Sequence, residues 1–457
     1  MSYVSITPEQ RQEMLRVCGV SAIGELFADV PASLAPPADE FWETGGLSEL
    51  EVLAECERLT SKNHTAAMTS FLGGGFYDHY IPAAIDAITS RSEFYTSYTP
   101  YQPELSQGTL QAIYEYQSQI CRLTGMEISN ASLYDGGTAI FEACNMAAAH
   151  TSRRKIVVDK GVNPIYRKML RAHSAGLDIE IVEIPVLGGG SLDRGGFAGA
   201  VDDSAAAVVL QNPNFFGIVD DHSDIVDKCK EKGVMTIQSV YPVALALIKT
   251  PAEQGFDIAV GEGQSLGIPL SFGGPYLGFI GTKKTLVRRM PGRIAARAED
   301  VNGKPGFVLS LQAREQHIRR EKATSNICTN SALCALRAHI YLSLIGKEGL
   351  TEVASLCHNK AIYARERIGS VPGVKVSKQP IFNEFLVELP MGALECVRAL
   401  AGVGGGFAAG IPAGLFGGDC FGAGVNTDNM LIVAVTEKRT KEEIDSFVDN
   451  LAQVIKL

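Results

Sequence analysis

KIVVD (155–159), NPIYRKMLRAH (163–173), IEIVEIPV (179–186), AAVVLQN (206–212), HSDIVDKCKEKG (222–233), VMTIQSV (234–240) and DIAV (257–260) succeed one another with short breaks, and their order decides the fold. Five of them are short β-branched runs of strand length, and two have the length and apolar spacing of helices. Strand and helix in alternation predict an α/β protein with a mainly parallel sheet covered on both faces.

Moving outward towards the N-terminus, Ser106 stands where it would cap a helix whose Leu110, Ile113, Tyr114, Ile120 and Cys121 share a face and which stops at Gly125. Residues 1–60 hold mixed helical pieces and the Pro-rich SLAPPADEF (33–41), and they read as an arm laid over a body. On the other side, a helix over Ser331–Ile345, strands in IFNEFLVELP (381–390) and MLIVAV (430–435), and a final helix make a smaller α+β unit. That last helix has a capping box from Thr440 and Glu443 and one apolar stripe of Ile444, Phe447, Val448, Leu451, Val454 and Ile455. The expected organisation is an arm (1–60), a large α/β domain (61–325) and a small α+β domain (326–457).

With 457 residues, 46% of them hydrophobic, the chain has enough apolar side chains for a sizeable core. Its net charge of −10 repels phosphate backbones and anionic lipid, which argues against nucleic acid and membrane surfaces as partners. The uncharged run Ala399–Gly418 has eight glycines in its twenty residues and Pro412 within it, so it reads as irregular loop and not as a membrane span. Ten cysteines are scattered singly, without a CxxC pair or a nearby histidine at ligand spacing, so neither a disulfide framework nor a metal site is expected. No export signal opens the sequence, and the cytoplasm is the expected compartment.

Glycine triplets at Gly73–Gly75, Gly188–Gly190 and Gly404–Gly406 lack the spacing of phosphate loops and read as turns. In NASLYDGGTAIFEACNMA (130–147), Gly136, Gly137 and Thr138 open a helix, either as a plain capped start or as a phosphate-binding one. RSEFYTSYTPYQPELSQG (91–108) gathers four rings. Leaving such rings in water forgoes roughly 2 kcal/mol each, so they are either satellite core or the lining of a cleft or interface. LQAREQHIRREKATSNICTN (311–330) carries Arg314, Arg319, Arg320 and Lys322 beside Glu315 and Glu321, a pattern of helical ion pairs or an anion site. His317 within it reads as a structural histidine.

FLGGGFYDHYIP (71–82), the run from YTSYTPYQPELSQG (95–108) through NASLYDGGTAIFEA (130–143), and LQAREQHIRREKATSNICT (311–329) together resemble the glycine-decarboxylating P-proteins of the glycine cleavage system, in particular the half corresponding to subunit 1. The resemblance runs the length of the chain. It implies the type I fold of pyridoxal-phosphate enzymes (aspartate aminotransferase-like), and decarboxylation of glycine with transfer of the aminomethyl group to the lipoyl arm of H-protein.

That chemistry needs a Schiff-base lysine and a carboxylate beside the pyridine nitrogen. In the catalytic half of the family the lysine lies shortly before a glycine-rich stretch ending in GGP. The corresponding stretch here is DIAVGEGQSLGIPLSFGGP (257–275), with Gln264 in the lysine's place and no lysine between Lys249 and Lys283. Tyr241 stands where the aspartate is expected, and Gly136, Gly137 and Thr138 become a relic phosphate site. The resemblance therefore implies a chain without catalytic residues or coenzyme of its own, assembled with a homologous subunit 2 that holds pyridoxal phosphate, as an α2β2 heterotetramer. Tyr95, Tyr98, Thr99, Tyr101, Glu104, Ser106 and Gln107 are the residues expected to wall the partner's active site. A self-sufficient pyridoxal-phosphate decarboxylase or transaminase, and a scaffolding or regulatory paralogue, are the alternatives to this reading.

Overall fold

Seven strands form the main sheet of the computed structural model, in the spatial order Ile128–Ser129, Gly278–Thr282, Ile258–Glu262, Met235–Val240, Ala205–Asn212, Lys155–Asp159 and Glu180–Ile184. The five strands read from the sequence pair in parallel, while Gly278–Thr282 runs antiparallel to Ile258–Glu262 and Ile128–Ser129 antiparallel to Gly278–Thr282. Alternate residues of these strands face different layers. Ile156, Val158 and Val209 pack with the helices Gly136–Thr151 and Pro164–Ser174. Val157, Val208 and Leu210 pack with Arg194–Ala200 and Ser223–Glu231. Both faces of the sheet are buried, which is why its strands read as nearly continuous apolar runs.

The structure describes residues 5–34, 46–63, 67–328, 330–402, 406–416, 419–422 and 424–456. They fall into two compact units, Met1–Ala66 and Ala67–Leu457. In the first, the helices Pro8–Val17 and Glu49–Thr60 each start with a capping box, Thr7 with Gln10 and Ser48 with Glu51. Of SLAPPADEF only Ser33 and Leu34 lie within the described residues.

Within the second unit, Lys375–Val376, Glu384–Glu388, Met430–Ala434 and Ile411–Pro412 make a four-stranded antiparallel sheet in that order. Helices Ala393–Ala401 and Lys441–Lys456 cover it with one apolar cluster, and Phe71 from the start of the unit stacks on Phe447 at 4.4 Å inside that cluster. The Thr440 and Glu443 capping box is present, with backbone N–H to side-chain oxygen distances of 2.8 and 3.1 Å.

Three local expectations need correction. Ser106 precedes the helix Gln107–Thr124, but its hydroxyl accepts no capping bond. The end of that helix is as expected, at Gly125 with φ 74°, a left-handed conformation that glycine adopts without steric cost. The helix starting at Ala332 breaks at Gly346 (φ 60°), where the apolar periodicity ended, but a second arm continues to Gly369. Residues 311–330 are not one helix: the described part consists of single turns at Gln312–Arg314, Gln316–Arg319 and Arg320–Lys322. Among the described residues, none of its basic side chains pairs at helical spacing with Glu315 or Glu321. Arg314 is turned inward instead, donating to the carbonyls of Leu311 (3.0 Å) and Gly292 (2.9 Å).

Within Ala399–Gly418, Phe407–Ala408 and Ile411–Pro412 are short strands, so the described part of this run is more regular than a loop. Gly404 and Gly405 lie outside the described residues. Among the described residues no helix is long and apolar enough to cross a membrane.

Candidate functional site

In an α/β sheet, ligands sit beyond the carboxyl ends of the parallel strands. Here those ends bring Tyr241, Glu262 and Gln264 together, and the segment 71–80 of FLGGGFYDHYIP lies across them. Gln264 is buried, and its amide is fully used: Oε1 accepts from Tyr77 N at 2.9 Å, while Nε2 donates to Tyr77 O at 3.1 Å and Ile268 O at 2.8 Å. Glu384, at the start of its strand, accepts from Gly74 N at 2.6 Å and from the Tyr77 hydroxyl at 2.9 Å. The glycines of 73–75 serve this contact. A Cβ on Gly73 would stand 2.1 Å from Glu384 Oε1 and 2.5 Å from Ala434 Cβ.

Beyond Tyr77, His79 Nδ1 is hydrogen-bonded to Glu437 Oε2 at 2.6 Å, and its Nε2 faces the Tyr241 hydroxyl. Glu437 also accepts from Tyr80 N at 2.6 Å, and Cys357 Sγ lies 3.4 Å from its carboxylate. Burial acts to raise the Glu437 carboxyl, but His79 and the Tyr80 N–H bring it down to about 2. This gathering of Cys, His and Glu comes from distant parts of the chain, so spacing along the sequence gave no sign of it. The three groups satisfy one another by hydrogen bonding.

The edge is acidic. Burial pushes Glu384 up to about 7, against the Gly74 N–H and Tyr77 hydroxyl. It pushes Glu262 up to about 8, against the N–H groups of Leu277 and Gly136. Glu262 bears directly on the relic phosphate position, because its Oε2 accepts from Gly136 N at 2.9 Å, at the start of the helix. Asp135 accepts from Thr138 N at 2.8 Å and from the Thr138 hydroxyl at 3.1 Å. Two protein carboxyl groups thus occupy the donors that a phosphate would need.

Where the resemblance places the contacts to pyridoxal phosphate, the residues present do not suit it. Gln264 offers an amide where an amine is required. Tyr241 is a buried phenol, driven well above its ordinary ionisation range by desolvation, where a carboxylate is required.

Tyr95, Tyr98 and Tyr101 are 68%, 74% and 47% exposed, so these three rings are not satellite core, while Phe94 is half-buried. Tyr95 borders a shallow apolar pocket with Phe94, Ser97, Leu333 and Leu336. Glu104 is exposed, and Thr99 and Ser106 are half-buried. Gln107 plays a structural part, because its amide donates to Phe307 O at 2.8 Å and accepts from Phe307 N at 2.9 Å, fixing the edge of the Ile294–Glu299 and Pro305–Ser310 hairpin.

Tyr101 is tied to a residue that no motif in the sequence singled out. Arg293 Nη2 donates to the Tyr101 hydroxyl at 2.7 Å, and its guanidinium carbon lies 5.3 Å from the ring centre. His317 meets the same ring edge-on at 6.1 Å, and Glu315 Oε2 lies 3.9 Å from Arg293 Nε. The two most distinctive stretches, TPYQPELSQG and REQHIRREK, therefore converge on Arg293.

The sheet order, the doubly covered parallel strands and the C-terminal antiparallel sheet define the type I fold of pyridoxal-phosphate enzymes. A sphingosine-1-phosphate lyase of Burkholderia pseudomallei shares the fold at 15% identity, with TM-score 0.62 over 93% of this chain and 94% of that one. The chain belongs to the glycine cleavage system P-protein family, whose model matches residues 1–451. A relative from Geotalea uraniireducens, named a probable glycine dehydrogenase (decarboxylating) subunit 1, is 52% identical over 452 residues and 99% of both chains. One of the same name from Nitratidesulfovibrio vulgaris (strain Miyazaki F) is 50% identical over the whole of both chains. The inhibitor-bound crystal structure of a glycine decarboxylase (P-protein) is similar at TM-score 0.85 and 40% identity, covering 99% of this chain and 100% of that chain.

Proposed function

We propose that this chain is subunit 1 of a two-subunit glycine decarboxylase and that pyridoxal phosphate is held by its homologous partner, subunit 2, in an α2β2 assembly. The observation that carries the reading is Gln264: an amide stands in the lysine's place, with both ends spent on the Tyr77 backbone and on Ile268. Glu262 at the N-terminus of the Gly136–Thr151 helix supports it, because its carboxyl group already takes the Gly136 N–H that a phosphate would need.

On this reading the electron sink for loss of carbon dioxide from glycine belongs to the partner. This chain supplies part of the wall. Tyr95, Tyr98, Thr99, Tyr101 and Glu104 exclude water, orient glycine and shape the entrance for the lipoyl arm of H-protein, while Ser106 and Gln107 hold the base of that wall. All ten cysteines are free thiols, which suits a reducing cytoplasm.

The test is to purify the chain alone and with its partner, reduce each preparation with borohydride and map the peptides. The pyridoxyl group is expected only on a lysine of the partner, and the isolated chain is expected to be colourless. A pyridoxyl-lysine in this chain overturns the proposal.

A further inference from the structure

Arg293 is 3% exposed, and beside a contact with the Cys328 side chain its Nη2 bond to the Tyr101 hydroxyl is the one side-chain hydrogen bond of good geometry it makes among the described residues. Its Nε and Nη1 have no such partner, and neither has Glu315 Oε1 beside it. The Glu315 carboxylate approaches at 3.9 Å, beyond hydrogen-bonding distance, and so offsets the charge without saturating the donors. A buried guanidinium is costly to keep when it is so sparsely satisfied, and such a group calls for a role beyond packing.

Neighbouring residues hold the cation in place. The backbone leading to it is gripped by Arg314, which donates to Gly292 O at 2.9 Å, and Arg293 O accepts from Ala131 N at 2.8 Å. Tyr101 beside this buried pair is 47% exposed, with His317 against its ring.

The chemistry of the contact sets a direction. Arginine has donors and no acceptor, so the Tyr101 oxygen accepts from Nη2 and its own proton is left to donate elsewhere. A phenol held this way, with a guanidinium behind it, favours an anionic acceptor on its open side, and a carboxylate fits best.

We infer that Arg293 is a positioning residue that orients and polarises the Tyr101 hydroxyl to donate to the carboxylate of glycine in the site completed by the partner subunit. The inference deepens the proposed function and rests on it.

The test uses the assembled two-subunit enzyme with H-protein and three variants of this chain: Arg293→Met, Tyr101→Phe and the double variant, with Arg293→Lys as the conservative change. Each single variant is expected to raise the KM for glycine about tenfold, with kcat within about twofold, and Arg293→Lys to fall between Arg293→Met and the unaltered enzyme. In the double variant the KM is expected to stay near that of Tyr101→Phe alone, because the arginine acts through the hydroxyl.

Size-exclusion chromatography checks assembly. Tyr101→Phe removes one oxygen and keeps the ring, so it decides the matter even if Arg293→Met fails to fold. An unchanged glycine KM in assembled Tyr101→Phe overturns the inference. So does a full further tenfold rise when Arg293→Met is added to it. If Tyr101→Phe is silent while Tyr95 or Glu104 variants lose turnover, this inference falls and the wall stands; if all are silent, both fall.

Discussion

The carboxyl edge of the main sheet and the face around Tyr101 differ in how their ionisable groups are met, although the edge too keeps unpartnered hydroxyls at Ser265 and Tyr166. At the edge, the Gln264 amide, the Glu384 carboxyl and His79 each have partners, and the segment 71–80 closes over them. Around Tyr101, rings stand in solvent in front of a buried arginine with two unpartnered nitrogens. On the reading proposed above, the edge is a site without its ligand that became core because the chain supplies its own acceptors and donors. A site shared with another molecule keeps polar groups unsatisfied and rings exposed until that molecule arrives. The first pattern reads as stability and the second as function.

The largest expected effect comes from forcing the closed edge open. Gly73→Val drives a side chain into Glu384 and Ala434, and displacing Glu384 strips the acceptor from Gly74 N–H and Tyr77 O–H. A loss of about 4 kcal/mol is expected from overpacking and the unmade bonds, measured by chemical denaturation. A variant of unchanged stability would mean that the edge is less tightly closed than these contacts indicate.

Next comes Gln264→Lys, which restores an amine but no acceptor, leaving Tyr77 N–H unpaired. It is expected to lose about 2 kcal/mol and to stay colourless when mixed with pyridoxal phosphate. Coenzyme absorbance in that variant would show the edge to be an open site needing one residue.

On the other face, Tyr95→Ala and Glu104→Ala are each expected to lower glycine turnover in the reconstituted complex about tenfold, roughly 1.4 kcal/mol, with assembly and melting temperature unchanged. Unchanged turnover would assign this face to scaffolding.

The remaining effect is a pH slope. Glu384 is raised to about 7 by burial, so between the unfolded value of 4.5 and the folded one the native state holds a proton that the unfolded chain has released. Its contribution is complete below pH 4.5 and is lost as pH rises through 7. Glu384→Gln can still accept from Gly74 and donate to Tyr77, and it is expected to flatten the fall in stability between pH 5 and 8 by up to about 2.5 kcal/mol. Equal slopes in the two proteins would show that Glu384 stays ionised.

Legibility of the fold followed periodicity. The five parallel strands carry β-branched runs that need only local reading, whereas the antiparallel strand Gly278–Thr282 is glycine at two of its five positions and left no such trace. The helix arm after Gly346 was missed because the left-handed residue resets the angular phase of the apolar stripe. Residues 311–330 misled for another reason: alternating charges suit a solvated helix, but Arg314 spends its guanidinium on backbone carbonyls that only the folded chain brings near.

At the candidate site, family motifs drew attention to Gln264, Tyr241 and the tyrosines. Glu384, Glu437 and Arg293 escaped because each acts on a partner far away in sequence. Glu384 did leave a local sign, as an acid opening an otherwise apolar strand.

The bonds that tie 71–80 to the C-terminal sheet span some 358 residues between His79 and Glu437. A ribosome adding roughly 5–20 residues per second takes on the order of 20–70 s to cover that distance. Throughout that interval His79 lacks Glu437, and Tyr77 waits for Glu384 through most of it, so the nascent polypeptide completes its last layer only at the end of translation. This late closure makes the early segment a natural client for chaperones, and a premature stop anywhere before Glu437 leaves it permanently unshielded.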